Sequence, residues 1–165
     1  MSAIFQKNPV HQPVVRLLLA LLITAAGPLR ADDDEYFRPV TPSPKYVQEC
    51  GACHMAFAPG LLPAAAWQNM MQGLDKHYGV NASLEAADIR EIGRWLQVNS
   101  RSDGRAQTPP PENRITRSAW FVHEHRKIAS AVWQRKSVGS RSNCVACHSG
   151  ADRGNIDEDF IRIPR

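Results

Sequence analysis

The chain has 165 residues, 43% of them apolar, 22% charged and 7% aromatic. That is enough for one ordinary domain or two small lobes, and it excludes both a large multidomain enzyme and a wholly disordered chain. The net charge of +4 is misleading: Lys7, Arg16 and Arg30 lie in a first stretch of 31 residues without an acid, so residues 32–165 carry only +1, which excludes the clustered basic excess of a nucleic-acid-binding domain.

Residues 1–16 hold two positive charges and no negative ones. An apolar run from Leu17 to Ala26 follows, then the breaker Gly27-Pro28 and Leu29-Arg30-Ala31 ahead of the acidic run Asp32–Glu35. Positive head, short apolar core, breaker and small residue read as a secretory signal peptide, with cleavage expected after Ala31. Ten helical residues reach only about 15 Å, half of what a bilayer core needs. An exported mature chain without a membrane span is expected.

Cys50-Gly51-Ala52-Cys53-His54 and Cys144-Val145-Ala146-Cys147-His148 share the frame C-x-x-C-H and use every cysteine in the chain. This is the attachment signal for c-type haem. Cysteines at i and i+3 lie on one face of a helical turn, so both sulfurs reach the two vinyl groups of one porphyrin. The following histidine, His54 or His148, then meets the iron. Two disulfides, a four-thiolate zinc site and a thioredoxin-like redox pair compete with this reading. The first two leave a histidine after each pair unexplained, and the third needs a βαβ setting that the sequence does not offer. Two covalently attached haems c are expected.

A six-coordinate iron needs a second axial ligand. Beyond the leader, His77, His123 and His125 remain. Leu62–Tyr78 reads as a helix in which Trp67, Met70, Leu74 and His77 share one face, with Gly79 as a stop signal. Ser83–Val98 reads as a third helix of the first half, capped by Ser83 and striped by Ile89, Ile92 and Leu96. Residues 101–113, polar with three consecutive prolines, read as an extended linker. Ser118–Arg135 reads as a helix with Phe121, His125, Ile128 and Val132 on one face. His123 points about 200° away from His125, so His77 and His125 are the expected distal ligands. Met55 is badly placed for the opposite haem face, and Met70 and Met71 read as core.

The expected organisation is a signal peptide (1–31), a first haem lobe (32–100), a Pro-rich linker (101–113) and a second haem lobe (114–165). The expected class is all-α with extensive irregular loops, in a small two-lobed dihaem protein. Residues 32–105 carry a net −3 and residues 106–165 a net +4. Arg126, Lys127, Arg135, Lys136 and Arg141 read either as a solvated face or as partners for haem propionates or an acidic redox protein.

The stretch Cys50–His54, Leu61-Leu62-Pro63, Trp67, Met70-Met71, Leu74, His77-Tyr78-Gly79 and Asn81–Leu84 resembles the bacterial dihaem cytochrome c family. So does the later stretch Trp120-Phe121, His125, Ser142-Asn143-Cys144, Ala146-Cys147-His148, Ala151, Gly154 and Ile163-Pro164. The resemblance implies a periplasmic electron carrier, not an enzyme, with two bis-histidine c-type haems close together. It implies electrons drawn from a membrane b-type cytochrome and passed to a small high-spin cytochrome or another periplasmic redox protein. The positions matching the family's distal ligands are His77 and His125. Two rivals stand beside this reading: a haem enzyme or gas or peroxide sensor with one open iron, and a small electron-transfer subunit of a larger reductase.

Overall fold

The computed structural model describes residues 40–101, 108–156 and 158–165. The expected leader and residues 102–107 of the expected linker lie outside these. Among the described residues there are short helices, many 3-10 turns and no named strand. The extended contacts are isolated bridges such as Pro63 to Arg101.

Helix α1 spans Pro44–Cys50. Ser43 caps it, its side chain accepting from the Tyr46 N–H at 3.3 Å, and Pro44 supplies a pre-set φ at the first helical position. The Gly51 N–H closes the end on the Val47 carbonyl at 2.9 Å. Only a residue without a Cβ fits there, because that atom would overlap the Val47 carbonyl oxygen. The helix therefore delivers Cys50 as its last residue and turns at once through Ala52 and Cys53 to His54.

Helix α2 spans Ala64–Gln72 and helix α3 spans Ala86–Asn99. With α1 they enclose the main core of Tyr46, Leu62, Ala66, Trp67, Met71, Leu74, Ile92 and Leu96. Leu62 and Ile92 are fully buried. Met71 lies in this core and Met70 packs against it, as expected of them. The Tyr46 ring lies edge-on to Trp67 and tilted against Trp95, with centroids 6.5 and 4.8 Å away. Two hydrogen bonds pin the loop that leaves His54: Tyr46 Oη donates to the Phe57 carbonyl and Trp67 Nε1 to the Pro59 carbonyl, each at 2.7 Å.

Helix bounds differ from the sequence reading in three places. The predicted helix 62–78 stops at Gln72. Gly73 breaks it, a 3-10 turn Leu74–Lys76 follows, and the Leu74 carbonyl is taken by the Ala82 N–H at 2.8 Å. His77 thus stands in a turn beyond the helix. The predicted helix from Ser83 starts at Ala86 with Glu85 as the flanking residue, and Ser83 stands ahead of it in a turn that Asn81 Oδ1 closes on the Ser83 N–H at 2.9 Å. The predicted helix 118–135 is two pieces, α4 Ala119–Glu124 and α5 Ser130–Trp133. Ser118 caps α4 at the Phe121 N–H. The helix ends at His125, where turn bonds replace the helical ladder and Ala129 is extended.

Residues 109–114 fold back on the first half. Pro110 keeps polyproline geometry (φ −66°, ψ 160°), while Glu112 and Asn113 adopt left-handed φ of 56° and 55°. Tyr78 Oη donates to the Glu112 and Asn113 carbonyls at 3.0 and 3.2 Å, and Arg114 stacks 4.0 Å from the Tyr78 ring centre. The later part of the chain has a thinner interior of Phe121, Val138 and Ala151. Its C-terminal tail is tied down by Arg135 to the Pro164 carbonyl (2.6 Å), Ser137 to the Arg165 carbonyl (3.0 Å) and the Arg162 N–H to the Cys147 carbonyl (2.9 Å).

Candidate metal centres

The four cysteines are free, so the disulfide reading has no bridge. Among the described residues, which include all four, no three or more metal-binding side chains gather at one point, so the four-thiolate zinc site is not formed either. Burial, with Glu49 adding to it, pushes the Cys50 thiol up to about 11. Burial also raises Cys144 and Cys147. Thiols held in the protonated form resist oxidation to disulfide.

What the fold does gather is histidines, in two pairs. His54 stands at the end of the first C-x-x-C turn and His77 in the turn after α2. Their ring centres are 6.1 Å apart with 28° between the planes. His148 follows the 3-10 turn Cys144–Ala146, its N–H bonded to the Cys144 carbonyl at 2.8 Å. His125 closes α4. Their ring centres are 6.2 Å apart with 68° between the planes. An imidazole nitrogen bonds a first-row metal at about 2.0 Å, and the ring centre lies ~1.1 Å beyond it, so two imidazoles on opposite faces of one ion stand about 6.2 Å apart. Both pairs match that separation. They are too far apart for a hydrogen bond between them and suited to one iron between them.

The hydrogen bonds fix which nitrogen is free. His54 Nδ1 faces the Met55 carbonyl at 2.8 Å, and His125 Nδ1 faces the Phe121 carbonyl at 2.9 Å. A carbonyl only accepts, so in both neutral rings Nδ1 carries the proton and Nε2 keeps its lone pair for a metal. His148 Nδ1 is buried without a hydrogen-bond partner, although the Ile156 carbonyl acts on the ring enough to raise its pKa somewhat. Burial, then the neighbouring His125, outweighs that and lowers the His148 pKa. Burial, then His54, then Arg114 lowers that of His77. Both rings are thereby biased toward the neutral form that can bind iron.

The surroundings differ between the pairs. His54 has Phe57 at 5.1 Å and His77 has Tyr78 at 4.8 Å. His125 sits among Phe121, Trp133 and Trp120 at 4.0, 5.7 and 6.5 Å. His123 is turned to solvent, its side chain 66% exposed beside Glu124.

A family model for dihaem cytochrome c matches residues 46–156. The chain belongs to the dihaem cytochrome c family. It carries two c-type haems and is an electron-transfer cytochrome. It is similar to the crystal structure of the diheme cytochrome type c from Shewanella baltica OS155, with 34% identity, a TM-score of 0.67, and coverage of 76% of this chain and 95% of that one. It is also similar to the crystal structure of the protein from Rhodobacter sphaeroides, with 35% identity, a TM-score of 0.61, and coverage of 70% and 97%. A second structure of the Rhodobacter sphaeroides diheme cytochrome c gives 35%, 0.63, and coverage of 71% and 98%. No curated protein matches the chain. Among the described residues of this dihaem cytochrome, no helix is long and apolar enough to cross a membrane.

Sequence reasoning did not find the aromatic cage around His125 or the Tyr78 contact with residues 112–114. Phe121 and His125 do stand four apart, which is a usable signal on a helix. Trp133 comes near His125 because the chain breaks between α4 and α5.

Proposed function

We propose that this dihaem cytochrome is a periplasmic electron carrier without catalytic activity of its own. Cys50 and Cys53 attach the first haem and Cys144 and Cys147 the second. His54 with His77, and His148 with His125, are the axial pairs. Each haem, when bound, supplies one-electron ferric–ferrous chemistry. The protein's part is to hold two nitrogen ligands on each iron, keep the Nδ1 protons of His54 and His125 on backbone carbonyls, and set aromatic side chains beside the rings. A site that keeps the same ligands in both oxidation states rearranges little when an electron arrives.

The single observation that carries this reading is the matched separation of the two pairs, 6.1 and 6.2 Å. Each iron then has two protein ligands and no open position for oxygen, nitric oxide or peroxide. Export to the periplasm is supported by the charge-and-apolar pattern of residues 1–31. A membrane b-type cytochrome as donor and a small high-spin cytochrome as acceptor are supported by the family resemblance. The test is the absorption spectrum of the reduced holo-protein with and without carbon monoxide. The carrier predicts no change. A shift in about half the haem absorbance means one open iron and an enzyme or sensor.

A further inference from the structure

The two histidine pairs have the same separation and different twist. The ring planes of His54 and His77 are 28° apart, and those of His125 and His148 are 68° apart. An imidazole bound to iron donates from its π system into the one iron dπ orbital that lies across its plane. Two rings close to parallel act on the same orbital and split the dπ pair widely. Two crossed rings act on one orbital each and leave the pair nearly level. Orientation of the axial ligands is thus a lever on the iron's electronics, alongside their identity and hydrogen bonding.

On the His125 side the crossing is set by local contacts. The Phe121 ring lies on the His125 ring, with centres 4.0 Å apart and planes 18° apart. The Phe121 carbonyl also takes the His125 Nδ1 proton at 2.9 Å, in addition to the His125 backbone N–H at 3.1 Å. One residue therefore fixes both the tilt of the ring and its rotation about the Cβ–Cγ bond. Trp133 stands at 5.7 Å, inclined by 51°. Phe121 is itself 3% exposed and cannot swing away. Beside His77 the ring of Tyr78 is inclined by 58° rather than stacked.

We infer that Phe121 is a positioning residue that holds His125 crossed to His148, and that the two haems are electronically distinct because of it. The first is a near-parallel bis-histidine haem and the second a crossed one. Near-parallel rings stabilise ferric iron by the orbital splitting, and crossed rings do not. The second haem is consequently the easier to reduce of the two on this account. An electron entering the molecule settles there first, on the half of the chain that carries the net positive charge. This inference rests on the axial pairing proposed above.

The experiment is low-temperature electron paramagnetic resonance of the ferric holo-protein. The expected spectrum contains two low-spin signals in equal amount. One is rhombic with three resolved g values, from the first haem. The other is strongly anisotropic with a single resolved feature at larger g, from the second. Two low-spin signals of the same kind overturn the inference while leaving the axial pairing intact. A high-spin signal overturns the pairing itself. In Phe121→Leu, which keeps the carbonyl and removes the stack, the large-g feature moves toward the rhombic signal and the other signal stays in place. An unmoved large-g feature in a variant with both haems attached overturns the role of Phe121. If Phe121→Leu fails to mature, Trp133→Leu is read instead. It leaves Phe121 in place and removes the second wall, and a shift confined to the large-g feature is expected; no shift overturns the role of the aromatic clamp.

Discussion

Replacing His125 by alanine takes one imidazole from a pair whose ring centres stand 6.2 Å apart. It also removes an 18° stack on Phe121 and a 2.9 Å hydrogen bond to the Phe121 carbonyl. The stack is worth about 0.5–1.5 kcal/mol and the hydrogen bond another ~0.5–1.5 kcal/mol. The variant is thus destabilised by roughly 1–3 kcal/mol, within the usual range for a single substitution, and it still folds around two thioether-linked haems. One iron of the two loses its sixth ligand. Carbon monoxide added to the reduced variant should bind one per protein and shift about half of the Soret absorbance. His123→Ala is the control. Its side chain is 66% exposed and lies 3.8 Å from Glu124, and a surface change of this kind costs under ~0.5 kcal/mol. It should bind no carbon monoxide. The reverse pattern, with His123→Ala opening an iron and His125→Ala opening none, would refute the assignment and the geometric argument beneath it.

Three further outcomes are expected. His77→Ala should open the other iron, and the His77→Ala/His125→Ala double variant should bind two carbon monoxide molecules; one per double variant means the two sites are not independent pairs. Tyr46→Phe removes a 2.7 Å bond to the Phe57 carbonyl in a residue 4% exposed, costing about 1–2 kcal/mol. A drop in the midpoint of thermal unfolding of roughly 3–6 °C follows for a chain of this size, and an unchanged midpoint would show that water satisfies that carbonyl. Burial lowers the pKa of His77 and His148 from 6.5, and an iron held at their Nε2 would compete with the proton in the same direction, so the unfolded chain takes up these protons before the folded one does. Stability to urea, followed by circular dichroism, should be level above about pH 7 and fall as pH drops below ~6.5. A rise in stability on acidification through that range contradicts the sign of both shifts.

The main core was legible in the sequence because it follows helical spacing. Trp67 and Leu74 carry the stripe predicted for the second helix, and Ile92 and Leu96 the stripe of the third. The helix ends were harder, because each depends on a competing hydrogen bond. Ser83 looks like a cap but stands in a turn that Asn81 closes on its N–H, and the Leu74 carbonyl leaves the helical ladder for Ala82. The phase argument for His125 assumed a helix from 118 to 135, and the chain breaks there. It placed Phe121 and His125 on one face all the same, since both lie in or at the end of α4. His77 was read as the end of an apolar stripe and stands instead in a turn held by later chain. The crossed and parallel ring planes had no sequence signal, because they depend on side-chain torsions set by tertiary neighbours.

The bond from Tyr78 to residues 112 and 113 bears on how far this molecule can be divided. The two attachment motifs lie far apart in the chain, with residues 102–107 between them, and a cut there would separate them cleanly on paper. Yet the residue after His77 is held by chain from beyond that cut, 34 and 35 positions later. The N-terminal piece would keep Cys50, Cys53, His54 and His77 and lose the clasp on the turn that presents His77. Each motif is a local text of five residues, whereas each finished centre is a long-range assembly. The molecule resists being shuffled as two one-haem modules, and a lineage that gained or lost a haem by simple splitting would have had to rebuild that clasp.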